Sequence, residues 1–281
     1  MNKGIFMFCH HITIACLVGF IYAQSLLLTA DYAMAGRDPA QGVTEEEPIR
    51  IMPLGDSITA GYTDNPQWDH PFEFGYRSGL FRRLKKAELD FVFVGESVEP
   101  CNKMSGDPTH GGSFSPKLDL RKVHQDGHRG YGGGSIALLQ ENVGTWIKQD
   151  RPDIILLLIG INGIKASEST QQLDALVETI YEVDHDVKLI VAQITPLHEF
   201  NNNLFNYNTY IRDTLIPTYT DRGHTIRTID LYKHFLTDPD DPESIDIKRL
   251  SNRINHPGNA LYDKMAESWC QGIMTLVSPK Y

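Results

Sequence analysis

The chain is 281 residues long, 41% hydrophobic and 22% charged, with 23 glycines, 15 prolines, four cysteines and a formal net charge of −10. Ordinary apolar content and few cysteines exclude a disordered, collagen-like or disulfide-dense chain, and the length suits one large α/β domain or two small ones. The acidic balance offers no electrostatic footprint for nucleic acid and opposes binding to anionic membranes, leaving small molecules, polysaccharides or proteins as partners.

Residues 1–35 read as a signal peptide. Lys3 supplies a short positive region, residues 12–28 are almost wholly apolar, and Ala33-Met34-Ala35 places small residues where signal peptidase reads them. Cleavage is expected after Ala35, giving a secreted or periplasmic protein. A retained membrane anchor is the competing reading, because the apolar run approaches spanning length. Cys9 and Cys16 would leave with the leader, and Cys101 and Cys270 could pair in an oxidising compartment. Residues 36–47 form a polar linker, and residues 48–281 read as one domain without internal repeats.

In that domain short apolar runs alternate with longer helical stretches. Strands are expected at 49–54, 91–95, 153–160, 187–194 and 225–231, and helices near 73–87, 135–148, 168–183, 203–222 and 258–277. The run Ile154-Ile155-Leu156-Leu157-Leu158-Ile159 is continuous rather than alternating, the pattern of a central parallel strand covered on both faces. Leu173, Leu176, Ile180 and Val183 recur at helical spacing and should face the sheet. Such alternation predicts a three-layer α/β/α domain with a mainly parallel sheet. Residues 96–125, rich in Gly, Pro, Ser and charge, read as a surface insertion.

Chemistry in open parallel sheets collects past the carboxyl ends of the strands. Past the first strand comes Gly55-Asp56-Ser57, where a hydroxyl is held in the open and helix-start amides can face an anion. The plainer reading is a helix cap after a glycine turn. Past the third comes Gly160-Ile161-Asn162-Gly163: an Asn amide can donate to an oxyanion, and Asn-Gly is equally a strong turn dipeptide. Between the second and third strands, Asp126-Gly127-His128-Arg129-Gly130-Tyr131-Gly132-Gly133-Gly134 allows backbone to approach a ligand, without the pattern of a phosphate loop. Ahead of the last helix, His256 sits on a short loop before Pro257, suited to a general base, although a lone His among 11 is often only solvated. Neither Gly-x-Ser-x-Gly nor His-Glu-x-x-His occurs, and Asp238-Pro239-Asp240-Asp241 lacks the spacing of a calcium loop.

Taken together and in this order, Gly55-Asp56-Ser57, Gly130, Asn162 and His256 resemble the four sequence blocks of the SGNH (GDSL-type) hydrolases. The resemblance is strongest to the secreted acetylxylan-esterase-like branch. It extends there over Ile51-Met52-Pro53-Leu54-Gly55-Asp56-Ser57-Ile58-Thr59, Gly75-Tyr76-Arg77, Phe93-Val94-Gly95 and Gly127-His128-Arg129-Gly130-Tyr131. It implies a flavodoxin-like fold with five parallel strands. It also implies Ser57 as nucleophile, His256 as base, and an oxyanion hole formed by the amides of Ser57 and Gly130 with the Asn162 side chain. No metal or organic cofactor is implied. The implied substrate is an acylated carbohydrate or another small ester, with no nucleic acid partner and no stable membrane association once the leader is removed.

The sequence departs from the family pattern twice. Arg253 stands where an Asp usually precedes the catalytic His by three residues. The loop looks one residue longer, which would bring Asn252 opposite the missing Asp as an orienting residue. A Ser-His dyad, a backbone carbonyl or a carboxylate from residues 240–246 are the other ways to fill that role. Gly163 takes the place of an Asp in the third block. Should His256 not be the base, His128 is the next candidate. The activity expected is removal of small acyl groups, most naturally acetyl. The alternatives are a lysophospholipase, a general short-chain esterase, or a degenerate carbohydrate-binding module.

Overall fold

The computed structural model describes residues 47–62, 74–99, 120–251 and 254–277. The leader, nearly all of the linker, Cys101, Asn252 and Arg253 lie outside the described residues. Contacts divide the chain at Glu47/Pro48, and everything below concerns the unit from Pro48 onward. No helix among the described residues is long and apolar enough to cross a membrane.

The five expected strands are present as β1 (Ile49–Gly55), β2 (Phe91–Phe93), β4 (Ile154–Leu158), β5 (Lys188–Gln193) and β6 (Ile226–Asp230), with a two-residue strand β3 (Arg129–Gly130) inside the glycine-rich loop. All pairings are parallel and the order is β2-β1-β4-β5-β6. β2 pairs with Ile49, Arg50 and Ile51, and β3 with Leu54 and Gly55, so the two share one edge of β1 while β4 takes the other. Strand order reverses at β1, which is the topological switch point where α/β sheets bind ligands.

The central strand β4, Ile154-Ile155-Leu156-Leu157-Leu158, is buried at every position. Each such side chain contributes roughly 1.5–3 kcal/mol by leaving water. Helices follow the strands: α1 (Ser57–Ala60), α2 (Tyr76–Lys86), α3 (Ile136–Asp150), α4 (Ala166–Val183), α5 (Asn202–Tyr210), α6 (Ile216–Asp221) and α7 (Asn259–Leu276). Helix α2 packs on α7, and α3 packs on α4, giving a helical layer on each face of the sheet. Leu173, Leu176 and Ile180 are fully buried as their spacing requires, whereas Val183 is only partly buried at the end of its helix.

Besides β3, which forms within a segment expected to be loop, two features differ from expectation. The single helix predicted over 203–222 is interrupted by a π-helical turn, Ile211–Leu215, just ahead of Pro217. Proline has no N–H to offer its preceding turn, and a widened turn accommodates the break while Ile211 and Leu215 stay buried. The short α1 is not among the expected helices, because four residues carry too little periodicity to announce one.

Candidate active site

Ser57 is the first residue of α1. Asp56 caps that helix: its backbone is extended and its side chain accepts the Ile58 N–H at 2.9 Å. Gly61 closes the helix in the left-handed region at φ 97°. So short a helix needs outside help with its terminal carbonyls, and Arg77 gives it. The fully buried Arg77 guanidinium donates to the carbonyls of Thr59 (3.2 Å), Ala60 (3.1 Å) and Asp126 (2.9 Å). The Gly-Tyr-Arg motif is thus a clamp joining the serine helix to the glycine-rich loop. Its position on an amphipathic helix gave no hint of that partner.

Gly130 shows why β3 tolerates no side chain there: a Cβ would lie 2.5 Å from the backbone nitrogen of Ala60. Its strand is pinned by Arg129, whose guanidinium makes a buried bidentate pair with Asp150 at 2.7 and 3.0 Å. The Ser97 hydroxyl donates to the Gly130 carbonyl at 2.7 Å. The Gly130 N–H, expected to stand open for an oxyanion, donates to Nδ1 of His128 at 3.0 Å. Burial, followed by the nearby Arg77 charge, pushes His128 well below the ordinary histidine range. It is therefore a neutral ring, occupied in holding the loop.

His256 comes from a loop zipped at its base. Gly258 N–H donates to the Arg249 carbonyl at 3.0 Å, and Ser251 donates to the His256 carbonyl through both its N–H (2.7 Å) and its hydroxyl (3.1 Å). This closure presents the ring to α1 across 199 positions of sequence, with Nε2 of His256 at 2.7 Å from Oγ of Ser57. Both are buried, at 4% and 6% exposure, so the contact is held away from bulk water. The Tyr62 ring stacks beside His256, with centroids 6.1 Å apart, and its hydroxyl donates to Glu99 at 3.2 Å. Tyr62 escaped notice in the sequence because nothing local marks an aromatic that packs on a residue so far along the chain.

Asn162 follows β4, whose Leu158 is in register with Gly55. One N–H of its amide donates to the Gly134 carbonyl at 3.0 Å, which orients the group. Gly163 has φ 75° and nothing within reach of a Cβ, so it forms the turn in a conformation glycine adopts most easily. In the stretch 240–246, Asp241 accepts the Glu243 N–H, and Asp246 accepts from the Lys248 N–H and the Arg249 guanidinium. Those carboxylates serve their own loop. Cys270 is a free thiol.

A parallel sheet in this order, with helices on both faces and the first strand leading into a serine helix at the switch point, is the flavodoxin-like α/β/α fold. A family 3 carbohydrate esterase from Clostridium thermocellum has a similar structure (TM-score 0.58, 22% identity, 82% of this chain and 98% of that chain covered). An acetyl esterase mutant solved with acetate ion is also similar (TM-score 0.60, 17% identity, 81% and 97% covered). So is a family 3 carbohydrate esterase from Talaromyces cellulolyticus (TM-score 0.57, 18% identity, 82% and 100% covered). In sequence, the chain is 29% identical over 248 residues to a multidomain esterase of Ruminococcus flavefaciens, spanning 80% of this chain and 28% of that protein's length. No protein-family model matches the chain. The sequence relative and these structural neighbours are esterases.

Proposed function

We propose that the chain is a secreted serine esterase that removes small acyl groups, acetyl foremost, from carbohydrate. The observation that carries this reading is the 2.7 Å contact between Ser57 Oγ and His256 Nε2. In the reaction His256 takes the Ser57 proton as Oγ attacks the ester carbonyl, then gives it to the sugar oxygen as the ester C–O bond breaks, so that the sugar leaves as its hydroxyl. Water, activated by the same imidazole, releases the acyl group. The negative charge on the carbonyl oxygen is met by the amide of Ser57, the second donor of Asn162 and the Gly130 N–H. The last of these exchanges a neutral ring nitrogen of His128 for a charged oxygen, the stronger acceptor. The names of the structural neighbours support the carbohydrate and acetyl parts of the reading. The composition of residues 1–35 supports secretion, with the mature chain beginning at Gly36.

Acetylated xylan and a long-chain ester, assayed side by side, test the substrate class. Acetate release from the xylan should exceed long-chain hydrolysis by at least roughly tenfold in kcat/KM, about the discrimination that a few methylenes allow. Faster turnover of the long-chain ester would favour a lysophospholipase instead. For the oxyanion hole, Asn162→Ala should lower kcat by roughly 10²- to 10³-fold with a smaller change in KM. A loss confined to KM would make Asn162 a ground-state binding residue.

A further inference from the structure

Two parts of the site meet on a single carboxylate oxygen. Oε2 of Glu99 accepts the Gly132 N–H at 2.6 Å and the Tyr62 hydroxyl at 3.2 Å. Gly132 lies two residues past Gly130, and the Tyr62 ring stacks beside His256 with centroids 6.1 Å apart and planes 27° from parallel. We propose that Glu99 is a positioning residue: it ties the loop that carries Gly130 to the ring that flanks His256, so that both keep their places about Ser57. The inference rests on the Ser-His reading of the site.

The segment bearing Glu99 is anchored to the glycine-rich loop before its carboxylate takes part. The Ser97 N–H donates to the His128 carbonyl at 2.9 Å, and the Ser97 hydroxyl to the Gly130 carbonyl at 2.7 Å. What the Glu99 side chain adds is the reach across to Tyr62. Gly132 makes that approach possible: a Cβ there would lie 2.9 Å from the Tyr62 hydroxyl oxygen and 3.0 Å from Oε2 of Glu99. The backbone of Tyr62 is tied to both ends of the Ser-His pair. Its N–H donates to the Ser57 carbonyl at 2.9 Å, and its carbonyl accepts the Tyr262 hydroxyl at 2.6 Å from α7, the helix that follows the His256 loop. The bond to Glu99 then fixes the far end of the ring. A near-parallel ring held at both ends resists tilting of the imidazole beside it, and a displacement of about 1 Å at such a contact can cost 10²-fold in rate. Glu99 takes no proton in this role; it acts through Tyr62 and Gly132.

Three variants assayed on 4-nitrophenyl acetate test the coupling. Glu99→Ala removes both bonds, Tyr62→Phe removes the hydroxyl bond and keeps the ring, and Glu99→Gln keeps an acceptor oxygen at the same reach. Glu99→Ala should lower kcat roughly 10-fold with KM within about twofold, and Tyr62→Phe should lower it by a smaller factor. The double variant Glu99→Ala/Tyr62→Phe should be no slower than Glu99→Ala alone, because the bond between the two is already gone. Glu99→Gln should stay within about threefold of the wild type, the rescue expected where geometry is what matters. Wild-type kcat in both Glu99→Ala and Tyr62→Phe, with only the thermal midpoint lowered, would make Glu99 a staple of its loop and overturn the proposal. Losses that multiply in the double variant would overturn it as well. Ser57→Ala, run in parallel, separates the two levels of failure. If Ser57→Ala stays active, the Ser-His reading falls. If Ser57→Ala is inactive while the Glu99 and Tyr62 variants turn over like the wild type, only the coupling falls.

Discussion

Ser57→Ala is expected to reduce kcat/KM on an acetyl ester by at least about 10⁴-fold, and His256→Ala to reduce it nearly as far. The double variant should be little worse than either, because in the proposed mechanism the two residues, joined at 2.7 Å, act as one unit. Ser57 is the first residue of a four-residue helix, where alanine is fully acceptable, so the thermal midpoint of Ser57→Ala should stay close to that of the wild type. A serine-directed phosphonate should label the wild type and fail to label Ser57→Ala. Equal turnover by Ser57→Ala and wild type would remove Ser57 from the chemistry. Retained activity in His256→Ala would send the search for the base elsewhere, although not readily to His128, whose Nδ1 is taken by the Gly130 amide.

The second large effect is on stability. Arg77→Met keeps much of the side-chain volume but removes the donors that serve Thr59, Ala60 and Asp126. Leaving a buried carbonyl unpaired costs about 1–3 kcal/mol, so losing three such bonds should destabilise the fold by roughly 3 kcal/mol or more. Urea unfolding should show the midpoint falling with an unchanged m-value. Activity measured well below the unfolding transition should fall as well, because the clamp holds the far end of the helix that carries Ser57. Arg77→Lys should recover little, since one ammonium cannot span three carbonyls that the guanidinium reaches from separate nitrogens. A midpoint equal to the wild type would show that water replaces the guanidinium at no net cost.

Asp56 also ties stability to pH. Its carboxyl stands at about 7 in the fold against an ordinary value of 3.8, so the folded state favours the protonated form. The sign follows directly. The contribution of Asp56 to stability is greatest below the unfolded value and declines as pH rises through the interval up to about 7, where the buried group is forced to ionise. Above that interval the fold holds a buried anion at some expense of stability.

Much of the fold was legible in the chain. The run from Ile154 to Ile159 announced a covered central strand, and the strand-helix alternation announced the layers, because burial on two faces or one stripe writes itself into local sequence. The positions of Ser57 and Asn162 just past strand ends were equally readable, since the switch-point rule needs only element order, whereas Gly130 was legible only as part of a glycine-rich loop and lies in the short strand β3. Local pattern failed at α1, too short to show a period, and at the π turn before Pro217, where helical periodicity runs through a break in the hydrogen bonds.

Sequence alone therefore determined the five long strands and the longer helices, and placed Ser57 and Asn162 at the sheet's carboxyl edge. Tertiary structure decided which of those residues meet. It set His256 rather than His128 against Ser57, turned the Gly130 amide onto His128, folded Arg77 over the end of α1, and enclosed Asp56 away from water. Those pairings join residues up to 199 positions apart. They are set by strand order and loop closure, which depend on the whole sheet packing at once, so no window of sequence contains them.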